Sequence, residues 1–124
     1  KETGWTDRVL QFLKTSEIDS IFLLGYMRIL PPAFLKAWKG RLVNLHPSWL
    51  PSYPGLEAVK RAFDAREKFL GVTLHEVVEE VDAGRILRQL SFPRNFKASF
   101  DETMEEVHSF ERKIVRDYLL DLEN

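Results

Sequence analysis

Two short apolar runs with a helical segment between them constrain the fold most. Asp19 to Leu24 (DSIFLL) and Arg41 to Leu45 (RLVNL) are too short for ordinary helices and read as buried strands. Between them, Pro31-Pro32 suits the opening of a helix that reaches about Lys39 and stops at Gly40. Strand, helix, strand in this order is a βαβ unit, which places its two strands side by side in parallel.

The elements around this unit extend the pattern. Thr6 to Lys14 places Val9, Leu10 and Leu13 at helical spacing, with Thr6 as N-cap. Leu56 to Arg66 is a helix with Ala58, Ala62 and Phe63 inward. Gly71 to Val78 and Arg85 to Phe92 read as strands, close enough across the acidic turn EEVDAG to form a hairpin. A long last helix begins at Asp101, with a stripe of Met104, Val107, Phe110 or Glu111, Ile114, Val115, Tyr118, Leu119 and Leu122. The expected fold class is α/β: a mixed sheet with parallel strands plus a hairpin, flanked by helices. The 124 residues make one domain, 1–124, with no linker, repeat or low-complexity tract.

Composition narrows the function. A formal net charge of −1 and no basic stripe argue against a nucleic-acid partner. With no cysteine, disulfides, thiolate zinc sites and a cysteine nucleophile are excluded, which fits a reducing, cytoplasmic setting. The longest apolar run, Ile21 to Met27, is too short to span a bilayer, so no membrane partner is expected. The spacings of His46, His75 and His108 match no metal-ligand pair, and no metal is expected.

Ligands of such sheets bind beyond the strand ends, and Asn44, His46 and Asp82 fall there. Asn44 and His46 are two apart and point to one side of a strand. They open NLHPSWLPSYPG (Asn44 to Gly55), where Pro47, Pro51 and Pro54 restrict the backbone and Leu50-Pro51 is the candidate cis bond. A fixed imidazole can move protons near neutral pH, and an asparagine amide can donate to an oxyanion. A nearby aspartate stabilises the imidazolium or holds a water that relays protons. Together these suit addition of an amine to a carbonyl without a metal. The plainer reading stays open: His46 as a structural hydrogen-bonding group, Asn44 and Asp82 as turn residues. His75 reads as a polar residue lining a strand face, His108 as a solvated helix residue, and Glu111 as a carboxylate at the edge of an apolar stripe.

The segments GYMRIL, NLHPSWLPSYPG and GVTLHEVVEEVDAG, with the glutamine of RILRQ, resemble the C-terminal, catalytic half of the phosphoribosylglycinamide formyltransferases, a branch of the 10-formyltetrahydrofolate-dependent formyltransferase family. The resemblance runs from about Asp7 to the end of the chain. It implies a partial Rossmann-like formyltransferase fold ending in a long C-terminal helix. It implies Asn44, His46 and Asp82 as the catalytic trio. It implies a folate site from Tyr26, Met27, Arg28, Ile29, Leu30 and Leu42 and the loop at Glu79, Glu80 and Val81, with Glu111 binding substrate ribose hydroxyls. The small molecules implied are 10-formyltetrahydrofolate, as formyl donor, and glycinamide ribonucleotide, as acceptor in purine biosynthesis.

The glycine-rich phosphate loop of the family's N-terminal half has no counterpart among the chain's six glycines. The chain opens on Lys1 rather than a methionine, which suggests a piece of a longer protein or one component of a split one. The open sheet edge then calls for a homo-oligomer or a partner supplying the missing half. The alternatives are a non-catalytic folate-binding fragment, a related formyltransferase, or a formyltetrahydrofolate deformylase.

Overall fold

A computed structural model describes residues 21–22, 32–38, 42–80 and 82–122. In chain order these form β1 (Ile21–Phe22), α1 (Pro32–Ala37), β2 (Leu42–His46), α2 (Ala58–Asp64), β3 (Phe69–Glu76), β4 (Ile86–Pro93) and α3 (Phe100–Leu122). The helix expected at Thr6 to Lys14 lies outside the described residues. The other elements occur in the expected order, with shifted ends. β3 begins two residues before Gly71, and the last helix begins at Phe100.

The four strands form one sheet in the order β1-β2-β3-β4. β1 pairs in parallel with β2, Ile21 with Leu42 and Phe22 with Val43. β2 with β3 and β3 with β4 are antiparallel, so most of the described pairing is antiparallel.

The period of two divides β3 into two faces. Leu70, Val72 and Leu74 point to one side and join Val107 and Ile114 of α3 in the core. Val72 and Leu74 are wholly buried, each worth about 1.5–3 kcal/mol in apolar surface removed from water. Gly71, Thr73 and His75 face the other way and are buried too. Helix α3 covers the first face, and the proline loop after β2 covers the second.

Helix α3 starts with a capping box. Ser99 Oγ accepts the Glu102 N–H at 3.1 Å, and Glu102 Oε1 accepts the Ser99 N–H at 2.8 Å. It is buried at Thr103, Val107 and Ile114, while Leu119 and Leu122 at the far end of the stripe are exposed. In α2, Ala58, Val59 and Ala62 are inward, not Phe63. The Phe63 ring is half-buried and lies edge-on to Phe100 at 5.3 Å, with the Arg94 guanidinium 3.9 Å from its centre.

The loop is fastened to the second face of β3 by one hydroxyl. Thr73 Oγ1 donates to Ser48 O at 2.7 Å and accepts the Leu50 N–H at 3.2 Å. Gln89, the cross-strand partner of Thr73, donates through Nε2 to Leu50 O at 2.8 Å and to Thr73 Oγ1 at 3.0 Å. The Leu50-Pro51 bond is cis, as the sequence suggested. Gly71 permits the close approach: a Cβ there would lie 3.0 Å from Trp49 Cβ and 3.1 Å from Leu90 O. Replacing Thr73 by the isosteric valine leaves Ser48 O and Leu50 N–H without this partner. The expected loss is about 1–3 kcal/mol, read from urea denaturation, with faster hydrogen exchange at the Leu50 amide.

Candidate active site

The register of β2 and β3 builds one wall. Asn44 lies opposite His75, and His46 opposite Thr73, so all four side chains share the loop-covered face of the sheet. Asp82 reaches this wall from the β3–β4 turn and joins the two histidines. Its Oδ2 lies 3.4 Å from His46 Nδ1 and its Oδ1 lies 3.5 Å from His75 Nε2, with the side chains of all three at least nine-tenths buried.

The other ring nitrogens define the tautomers. His46 Nε2 is 2.7 Å from Tyr53 O, and His75 Nδ1 is 3.0 Å from Glu76 O. A carbonyl only accepts, so both of these nitrogens carry hydrogen. The nitrogens facing Asp82 then hold a lone pair in the neutral rings and a proton in the cations. The pocket therefore presents a carboxylate to two proton-accepting positions, an arrangement suited to holding and passing a proton.

The loop closes around this centre. Its far end returns to Asp82, whose Oδ2 accepts the Gly55 N–H at 2.8 Å. Ser48 Oγ donates to Ser52 O at 2.6 Å, and Tyr53 Oη donates to Glu67 Oε2 at 2.6 Å. That bond to Glu67 raises the Tyr53 phenol above its ordinary value, with burial adding to it. Tyr53 and Asp82, which hold the two nitrogens of His46, both adopt left-handed backbone, with φ of 54° and 53°. Such backbone is costly for residues other than glycine and concentrates at functional sites.

Asn44 is half-buried beside this centre, and its Oδ1 accepts the Leu45 N–H at 2.8 Å. Asn44, His46 and Asp82 are thus brought together. His75, read from sequence as a face-lining polar residue, belongs with them. Its signal was the alternation of Thr73 and His75 with apolar residues in a strand buried on both faces.

The remaining candidates are dispersed. Leu42 is fully buried, and its carbonyl accepts the Val77 N–H at 2.9 Å. Glu79 and Glu80 are exposed on the turn that leads to Asp82. Tyr26, Met27, Arg28, Ile29, Leu30 and Val81 lie outside the described residues. Glu111 is on α3, in an open groove of about 950 Å³ that is also lined by Leu45. Leu45 pairs with Leu74, so this groove is on the opposite sheet face from His46.

The turn at Asp82 is tightly fixed. Arg85 Nη2 donates to Glu76 Oε2 at 2.8 Å and holds the Glu76 carboxyl below its ordinary value. The Glu76 N–H donates to Arg85 O at 2.9 Å.

A family model described as formyl transferase matches residues 3–119. A phosphoribosylglycinamide formyltransferase of Bacillus subtilis is 35% identical over 112 residues, covering 90% of this chain and 57% of that protein. A trifunctional purine biosynthetic protein adenosine-3 of Drosophila melanogaster is 44% identical over 99 residues, covering 80% of this chain and 7% of that one. Among solved structures, a phosphoribosylglycinamide formyltransferase from Streptococcus pneumoniae superposes with a TM-score of 0.93 at 31% identity, over 100% of this chain and 69% of its own. The chain thus spans little more than half of the Bacillus relative and a small part of the trifunctional one.

The turn yields a test of the site's geometry. A Cβ on Gly84 would lie 1.7 Å from the Glu76 carbonyl oxygen, so Gly84→Ala must displace the turn that carries Asp82. The expected cost is about 1–3 kcal/mol in urea denaturation. The ring signals of His46 and His75 should shift together in the NMR spectrum of the variant.

Proposed function

The chain belongs to the formyl transferase family, and on that premise we propose that it carries the catalytic centre for formyl transfer from 10-formyltetrahydrofolate to the amine of glycinamide ribonucleotide, a cytoplasmic step of purine biosynthesis. The observation that carries the reading is the joining of Asn44, His46 and Asp82 at the end of β2, with Asp82 against His46 at 3.4 Å. Relatives named phosphoribosylglycinamide formyltransferase support the choice of reaction.

In this reading the acceptor's amine nitrogen attacks the formyl carbon. A carbon–nitrogen bond forms, and the carbonyl electron pair moves to oxygen. The Asn44 amide and the His46 Nε2–H stabilise that oxyanion, with Nε2 turning to it from the Tyr53 carbonyl. Collapse restores the carbonyl, breaks the bond to folate N10 and leaves the formamide. One proton passes from the attacking amine to the departing N10, and the His46–Asp82 pair assists that transfer. His75 Nε2 stands 3.5 Å from the second oxygen of Asp82.

The folate is assigned to Leu42, Glu79 and Glu80 together with Tyr26, Met27, Arg28, Ile29, Leu30 and Val81. Glu111 is assigned to the acceptor's ribose hydroxyls. The acceptor's phosphate is left to a segment outside these residues or to a partner.

Replacing Asp82 by asparagine keeps an oxygen to accept the Gly55 N–H while removing the charge beside His46. Turnover with 10-formyltetrahydrofolate and glycinamide ribonucleotide should fall by about 100-fold or more, with the thermal transition little changed. A folded Asp82→Asn protein with full turnover would remove Asp82 from the mechanism.

A further inference from the structure

Glu111 does not stand alone on its helix. His108 is three residues earlier, one turn back on the same face, and its Nδ1 is 2.7 Å from Glu111 Oε1. The carboxylate is mostly buried, with its side chain 19% exposed, while the imidazole is 55% exposed. Both residues line the groove of about 950 Å³ that runs beside Leu45.

A glutamate side chain has three rotatable bonds, and fixing them on binding opposes affinity. A donor already bound to Oε1 removes part of that cost and orients Oε2 for a hydroxyl. Nδ1–H supplies this donor in the neutral ring and in the cation alike. The imidazole lies on the solvent side of the pair, so it can act without disturbing the core beneath Val107 and Ile114.

We infer that His108 is a positioning residue: it preorganises Glu111 to bind the hydroxyl-bearing part of the acceptor. This rests on the assignment of Glu111 to the acceptor. His108 sets acceptor affinity through Glu111 and takes no part in moving protons at His46.

The test is a double-mutant cycle on acceptor binding, with glycinamide ribonucleotide titrated by calorimetry into the wild-type protein, His108→Ala, Glu111→Ala and the double variant. His108→Ala should weaken binding by about fivefold, and His108→Gln, whose amide can donate to Oε1, should recover part of it. In the Glu111→Ala background, removing His108 should change nothing further. In turnover assays the loss should fall on KM, with kcat unchanged at saturating acceptor. If Glu111→Ala weakens binding while His108→Ala does not, or if the His108 effect persists without Glu111, the inference is wrong and the assignment of Glu111 stands. If Glu111→Ala binds the ribonucleotide as well as wild type, that assignment fails and the role of His108 fails with it.

Discussion

The hydroxyl of Thr73 is the point on which the site's geometry depends. It is wholly buried, donates to Ser48 O and accepts from Leu50 N and from Gln89. One side chain thus binds a loop with few regular hydrogen bonds to the central strand of the sheet. Without such partners the loop's backbone groups would be buried and unpaired, a state more costly than the bonds are stabilising. Proline restriction narrows the loop's conformers, but Thr73 and Gln89 select the one that lies on β3. His46 inherits its position from both ends of this arrangement. Its backbone belongs to β2, and its ring bonds to the carbonyl of Tyr53.

Each buried β3 residue therefore serves one of two layers. Leu70, Val72 and Leu74 bind the sheet to α3, while Gly71, Thr73 and His75 receive Trp49, the Ser48–Leu50 backbone and Asp82. A one-residue slip of β3 would exchange these sets and destroy core and site together. The hydrophobic register that stabilises the fold thereby also fixes the chemistry. The bulge in the β3–β4 pairing between Leu74 and His75 falls at the same place, where the strand leaves regular pairing to reach the turn of Asp82.

The element order was legible in the sequence because each described element has a clear period or a clear punctuation. The ends were less so. Gly71 reads as a strand boundary, yet it lies inside β3, since the loop's close approach at Trp49 requires a residue without a side chain. Ser99 and Glu102 spell a capping box that places the start of α3 one residue before Asp101. Asn44 and His46 were legible as a pair because they are local in sequence. His75 was not, because its place beside Asp82 follows from the antiparallel register with Asn44, which no local pattern specifies. Resemblance to a family supplied Asp82 its partner, but only the register supplied Asp82 its second histidine.

The centre and the groove differ in how they are assembled. Asn44, His46, His75 and Asp82 come from a continuous stretch of β2, loop, β3 and turn, closed by bonds within that stretch. Glu111 comes from a separate helix, on the other face of the sheet, and has its own bonded partner in His108. The His46–Asp82 centre and the Glu111 groove can therefore be altered independently. A change in α3 can alter the groove at Glu111 and His108 while the imidazole and its carboxylate keep their geometry.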